Sequence, residues 1–481
     1  MHSSYFLALV AAHMAAAATT VSVSPSVKHQ NIDGFGMSQA FGRATQFKAL
    51  SEGPRKQGLD YLFSTTTGAG FSIIRNRIGS GGYGDSIEPT SPGSATATPK
   101  YVWDDNDEGQ VWFSQQAVSY GVSTVYANAW SAPVFMRTAE NYGRLCGVEG
   151  ETCSTGDWRQ AYVDMIIQYI GYYKAINIPI THVGFLNEPD GSNFMLSSAE
   201  QAADVIPMLR ESLDSKGYQD ILMTCCDNIG WKSQQNYTQQ LNKADMMKYL
   251  GVISSHGYSS APTDPMGNTN LPTWITEDAD LSDKWCTTWY ADGNLCEGFS
   301  WALRVADGMV NAGLSAYLYW EGVEVNQQQA SSYLVLATGN NVYPSGRLWA
   351  FAHWSRYIRP GATRIGATTS APDMIVGAFE NKDGSYVVVL TNSATYAQEM
   401  EVDLSGASVS AVAEAVSSDN NAQMAKTTAT LSGGKVLVSV PAKGVVTVKL
   451  TSSYASVASK EAVSSSKASR DCKSKRVARE F

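Results

Sequence analysis

The sequence predicts an α/β protein, a (β/α)8 TIM barrel with an associated antiparallel β-sandwich at its side. Eight apolar, β-branched runs that end in polar residues alternate with helical or loop stretches from residue 31 onward. After about Arg356 the helical pattern gives way to runs such as MIVGAFEN, SYVVVLTN and KVLVSVPA, in which apolar and polar residues alternate between turn signals. With 481 residues, 44% hydrophobic and 16% charged, the chain is long enough for one large or two ordinary domains and apolar enough to fill a core.

Taken in order, residues 5–18 (YFLALVAAHMAAAA) form an apolar run too short to span a bilayer and end in small residues. Residues 1–18 therefore read as a secretory signal peptide, which makes the protein a secreted, extracellular one. Residues 19–30 (beginning TTVSVSPSV) have strand character and are expected to join the sandwich from the far end of the chain. The barrel occupies 31–355, with strands expected at 31–40, 72–80, 124–133, 182–189, 220–228, 249–259, 272–278 and 316–324. Between them, residues 157–176 place Trp158, Tyr162, Met165, Tyr169 and Tyr173 at helical spacings. Ser197 and Ser198, three residues ahead of Glu200 and Gln201, carry a capping-box signature. Residues 297–314 read as another helix. No Gly-x-Gly-x-x-Gly turn follows the first strand, which speaks against a doubly wound sheet. The sandwich takes 356–451, and the Ser-rich, basic residues 452–481 are expected to be a disordered tail.

Charge and cysteine use narrow the function. The formal net charge of −9 argues against a sequence-independent nucleic-acid partner. Seven Lys/Arg against three Asp/Glu in the tail leave −13 on the rest. The 12 Trp and 24 Tyr against 14 Phe favour aromatics with a polar edge, as suits neutral polar ligands such as sugars. No later segment is long and apolar enough for a membrane span, and a monomer is expected. Cys146 with Cys153, and Cys286 with Cys296, read as loop staples; Cys225 and Cys226 are either a vicinal disulfide or two buried thiols, and Cys472 is left over. No cysteine or histidine spacing suggests a zinc site. Asn236-Tyr237-Thr238 is an N-glycosylation sequon.

The chemistry sits at strand ends, where a barrel places its active site. The fourth strand ends Phe185-Leu186-Asn187-Glu188-Pro189 and the seventh ends Trp274-Ile275-Thr276-Glu277-Asp278. Two glutamates across one barrel mouth can flank a glycosidic bond, one holding a proton for the leaving oxygen and one ionised to attack the anomeric carbon. Asn187 would hydrogen-bond the sugar 2-hydroxyl. Two carboxylates suffice for this chemistry, so no cofactor is expected.

Together with Asp33-Gly34-Phe35-Gly36, Ile73-Ile74-Arg75 and Ala129-Trp130-Ser131-Ala132-Pro133, these glutamates make nearly all of 19–450 resemble glycoside hydrolase family 30. The resemblance implies a retaining β-glycosidase with Glu188 as acid/base and Glu277 as nucleophile, Arg75 steadying the nucleophile and Tyr258 hydrogen-bonding it. The stretch from Gly36 to Ala44 looks like the fungal xylanase branch, in which an arginine at the position of Arg43 binds the uronic acid of glucuronoxylan; the alternative is that Arg43 pairs with a structural carboxylate. Xylan or glucuronoxylan is then the expected partner. Trp130 and Trp320 are candidates for stacking on sugar rings, Arg77 either assists the nucleophile or forms a plain salt bridge, and His256 reads as structural. Glu321 and Glu324 do not fit the catalytic pair. Alternatives are a xylobiose-releasing exo-xylanase, with 79–85 as a blocking loop, an endo-β-1,6-glucanase or glucosylceramidase activity, and a non-catalytic carbohydrate-binding protein.

Overall fold

The computed structural model describes residues 18–81, 85–191, 195–282, 285–328 and 332–452. The expected signal peptide, apart from Ala18, and the expected tail beyond Ser452 lie outside the described residues, as do Gly82, Tyr83 and Gly84 of the expected blocking loop and Cys472.

The chain enters through β1 (Thr19–Asn31) and then builds eight parallel strands: β2 (Gly34–Ser38), β3 (Ile73–Ile78), β4 (Thr124–Ala129), β5 (His182–Gly184), β6 (Leu222–Asn228), β7 (Val252–His256), β8 (Thr273–Glu277) and β9 (Ala316–Tyr319). They pair in sequence order and β2 closes on β9, so the sheet is a closed barrel. Their residues are buried almost throughout, because helices cover the outside and side chains fill the inside. The helices are α1 (Arg43–Lys48), α2 (Glu52–Phe63), α3 (Gln110–Ser119), α4 (Arg159–Ala175), α5 (Ala199–Ser215), α6 (Trp231–Lys243), α7 (Gly298–Ala306) and α8 (Gly346–Ser355). The capping box at Ser198 and Gln201 forms as its sequence signature implies. The helix expected at 297–314 ends its α-helical part at Ala306 and runs on as a π-helical turn over Asp307–Ala312.

The barrel floor is a layer of Ile73, Tyr126, Val252, Trp274, Ala316 and Leu318. Trp274 donates its indole N–H to Asp33 at 2.8 Å and meets Tyr126 edge to face. Tyr126 thus stands upright on this floor, its hydroxyl aimed at the barrel mouth.

The side domain is one ten-stranded sheet made of β1 and the nine strands between Thr363 and Ser452. Residues from both of its ends, among them Ala415 and Val436, share one core with Val21, Ile365, Val388 and Met400, so the sheet curls on itself into a sandwich. It is antiparallel except at one place: β1 pairs antiparallel with Thr363–Thr369 but parallel with Gln398–Asp403. No hairpin turn dictates the direction of a strand that arrives from the other end of the chain. The outer face of this sheet supplies Phe379, Val387, Val389 and Val445 to the barrel's own core. At that seam His353 is fully buried between the hydroxyls of Thr447 and Ser418, at 2.8 and 2.7 Å. Among the described residues no helix is long and apolar enough to cross a membrane.

Disulfides join Cys146 to Cys153, Cys286 to Cys296 and Cys225 to Cys226. The last decides between the two readings of that adjacent pair.

Candidate active site

Glu188 leaves β5 with a left-handed backbone (φ 48°), and its N–H donates to the Asp227 carbonyl at 2.8 Å. That bond ties the turn after β5 to the end of β6. Glu277 is the last residue of β8 and faces Glu188 across the barrel mouth. Below them Gly184 leaves no room for a side chain, since a Cβ there would stand 2.2 Å from Asn128 Oδ1 and 2.7 Å from the Tyr126 hydroxyl.

Arg75, on β3 and fully buried, organises the floor of the site. Its Nη1 donates to Glu277 Oε2 at 2.5 Å, and its Nη2 donates to Asn187 Oδ1 at 2.7 Å and Asp227 Oδ2 at 2.8 Å. Tyr258 donates to the other Glu277 oxygen, Oε1, at 2.6 Å. Both Glu277 oxygens are thereby oriented. Burial pushes the Glu277 carboxyl upward, while His256 and Arg75 pull it back.

His256 is fully buried among the carboxyl groups of the site. Its Nδ1 lies 3.0 Å from Glu188 Oε1, and its Nε2 lies 3.6 Å from Glu277 and 3.7 Å from Asp227. Burial alone would lower its pKa, but Glu277, Asp227 and Glu188 raise it to about 10, so the ring is an imidazolium at neutral pH. One oxygen from each glutamate and one His256 nitrogen lie within 4.8 Å of one another. A cation placed among them would meet the charges of Arg75 and His256, so the donor chemistry is not that of a metal site.

The aromatic wall differs from the expected pair of open tryptophans. Trp130 and Trp320 are 3% and 8% exposed, and the Arg75 guanidinium covers the Trp130 ring at 4.3 Å. Phe41, which sequence reasoning passed over, meets both edge to face at 5.7 and 5.8 Å and is 37% exposed. Arg77 stacks on Phe41 at 4.1 Å and pairs with Asp85, so it forms a plain salt bridge. The Gly-Arg context of Phe41 offered no periodic signal, because its importance comes from loops meeting in space.

Arg43 meets internal carboxylates in this fold. Arg43, at the start of α1, has a side chain only 6% exposed, paired with Glu321 and 3.8 Å from Glu324. The two glutamates that did not fit the catalytic pair are this arginine's internal partners. Burial raises the Glu321 carboxyl well above the ordinary range; Arg43 opposes that and Glu324 adds to it.

A closed eight-stranded barrel with two facing carboxyl groups at its mouth, one gripped by Arg and Tyr, defines a glycoside hydrolase. Residues 32–359 match the family model described as glycosyl hydrolase family 59, and 361–448 match that of the glycosyl hydrolase family 30 beta sandwich domain. The catalytic domain of GH30 xylanase C from Talaromyces cellulolyticus is 46% identical, with a TM-score of 0.86, over 90% of this chain and 100% of that one. The glucuronoxylanase XynC of Bacillus subtilis is 21% identical over 76% of this chain and 87% of its own. An endo-1,6-beta-D-glucanase of Neurospora crassa is 22% identical over 78% and 81%. Identity across barrel and sandwich together decides between the two family numbers: the chain belongs to glycoside hydrolase family 30.

Proposed function

We propose that the protein is a secreted, retaining glycoside hydrolase that cleaves β-1,4-xylosidic bonds of xylan and glucuronoxylan, with Glu277 as nucleophile and Glu188 as acid/base. The observation that carries the mechanism is the approach of Glu188 and Glu277 oxygens to within 4.8 Å. Oxygens that close fit the carboxyl separation of about 5–5.5 Å in retaining enzymes better than the about 6.5–9.5 Å with which inverting ones house a water.

In the first step Glu277 attacks the anomeric carbon while Glu188 gives its proton to the leaving oxygen. In the second, Glu188 takes a proton from water, which displaces Glu277 from the same face. Asn187 commits its Oδ1 to Arg75, which leaves its Nδ2 as a donor for a sugar hydroxyl. The exposed part of Phe41, backed by Trp130 and Trp320, offers an apolar wall for a pyranose ring. The choice of xylan rests on the 46% identity to a xylanase. Uronate recognition by Arg43 requires a substrate carboxylate to compete with Glu321, whose burial disfavours its charge.

Product analysis on glucuronoxylan, arabinoxylan and β-1,6-glucan tests this reading. Xylooligosaccharides that retain the β-anomer on release support it, and xylobiose as sole product assigns the exo mode. Cleavage of β-1,6-glucan alone, as the name of the Neurospora relative would have it, overturns the choice of substrate.

A further inference from the structure

We infer that Asp227, on β6, is a positioning residue of this active site: one buried carboxylate and its own carbonyl hold Arg75, His256 and the Glu188 backbone in place and supply the fixed negative charge against which one further negative charge passes from Glu277 to Glu188. The inference rests on the proposed roles of Glu188 and Glu277.

Asp227 is fully buried. Its Oδ2 accepts from Arg75 Nη2 at 2.8 Å, from the Tyr126 hydroxyl at 2.9 Å and from Asn128 Nδ2 at 2.9 Å. Its Oδ1 accepts from the Thr276 hydroxyl at 2.7 Å, next door to Glu277 on β8. Its carbonyl accepts the Glu188 N–H. Asp227 itself takes a left-handed backbone (φ 56°), which turns its carboxylate inward from a strand end. Three strands, β3, β4 and β8, and the turn after β5 therefore converge on this residue. A carboxylate buried at such cost is retained where it is fully hydrogen-bonded and paired.

The titratable groups around it are Arg75 from β3, Tyr126 from β4, His256 from β7 and Glu277 from β8, with Glu188 joined to it through its backbone N–H. Burial opposes the charge of Asp227, and Arg75 with His256 and Ser254 overcomes that, holding it well below the ordinary carboxylate range. In the free enzyme Arg75 and His256 carry two positive charges against Asp227 and Glu277. After the first step Glu277 is esterified and Glu188 has given up its proton, so the two cations face Asp227 and Glu188. One negative charge passes from Glu277 to Glu188, and the buried cluster stays neutral at both stages because Asp227 does not change.

The test compares pH profiles of kcat/KM. Asp227→Asn keeps the shape and removes the charge, leaving an excess positive charge that favours ionised Glu188 too early. The alkaline limb is expected to move down by about one pH unit and the peak to fall about tenfold or more. Thr276→Val, which removes one hydrogen bond and no charge, is expected to lower the peak with both limbs unmoved. A folded Asp227→Asn enzyme with wild-type limbs, or a Thr276→Val enzyme whose limbs move as far, overturns the inference. If Asp227→Asn does not fold, the His256 ring titrated by 15N NMR in the wild-type protein decides. A ring protonated beyond pH 8 supports the inference, and one that titrates near 6.5 overturns it. That titration stands apart from the glutamate roles, which fail separately if Glu277→Ala hydrolyses substrate at the wild-type rate.

Discussion

The Tyr258 hydroxyl donates to Glu277 Oε1 at 2.6 Å while Arg75 donates to Oε2 at 2.5 Å, so neither oxygen of this carboxylate is free to rotate away from the barrel mouth. In its proposed role as nucleophile, a carboxylate held in this way attacks along one line, and the entropy of finding that line is spent on folding.

Glu277→Ala should abolish hydrolysis, by on the order of 10^4-fold or more in kcat, with the barrel intact. Circular dichroism and melting establish the fold, and reducing-sugar release reads the activity. Wild-type activity in a folded variant removes Glu277 from the mechanism.

Glu188→Gln should slow xylan hydrolysis by about 10^2–10^4-fold, because the leaving oxygen then departs unprotonated. An aryl xyloside with an acidic phenol needs no such proton, so its first step should be spared. Water attack then lacks its base, and added azide should yield a β-glycosyl azide. An α-configured azide would contradict retention.

Arg43→Ala should reduce turnover of glucuronoxylan far more than that of undecorated xylooligomers. It also leaves Glu321 and Glu324 without their buried cation, so melting should fall; loss of one partner of a buried pair costs about 3–5 kcal/mol. An equal activity loss on both substrates rejects uronate binding and leaves Arg43 as a purely internal ion pair.

Burial lowers the His353 pKa to about 3, with Arg356 adding to the effect, so the folded protein keeps this ring neutral where the unfolded chain protonates it near 6.5. Its contribution to stability is therefore complete above pH 6.5 and declines as the pH falls toward 3. Denaturation midpoints at pH 7 and pH 4 should show the loss, and His353→Gln should flatten it. His182, lowered to about 4 by burial, supplies a residual slope. An unchanged slope in His353→Gln would mean the seam tolerates a protonated ring.

Barrel, sandwich and glutamate pair were all legible in the linear chain, because each depends on local rules. Strands and helices declare themselves by period, and a residue that ends a barrel strand faces the mouth whatever surrounds it. The eight expected runs contain β2 to β9, and Glu188 and Glu277 emerge from two of them. The tertiary structure alone decided which charges meet. Asp227, His256 and Phe41 matter through contacts with residues about 20 to 280 positions away, and no periodicity encodes those. Arg43 shows the same limit from the other side. Its place after the first strand marked it as a cation at the rim, but Glu321, Glu324 and its own burial determine how much of that charge is left for a substrate, and those are properties of packing.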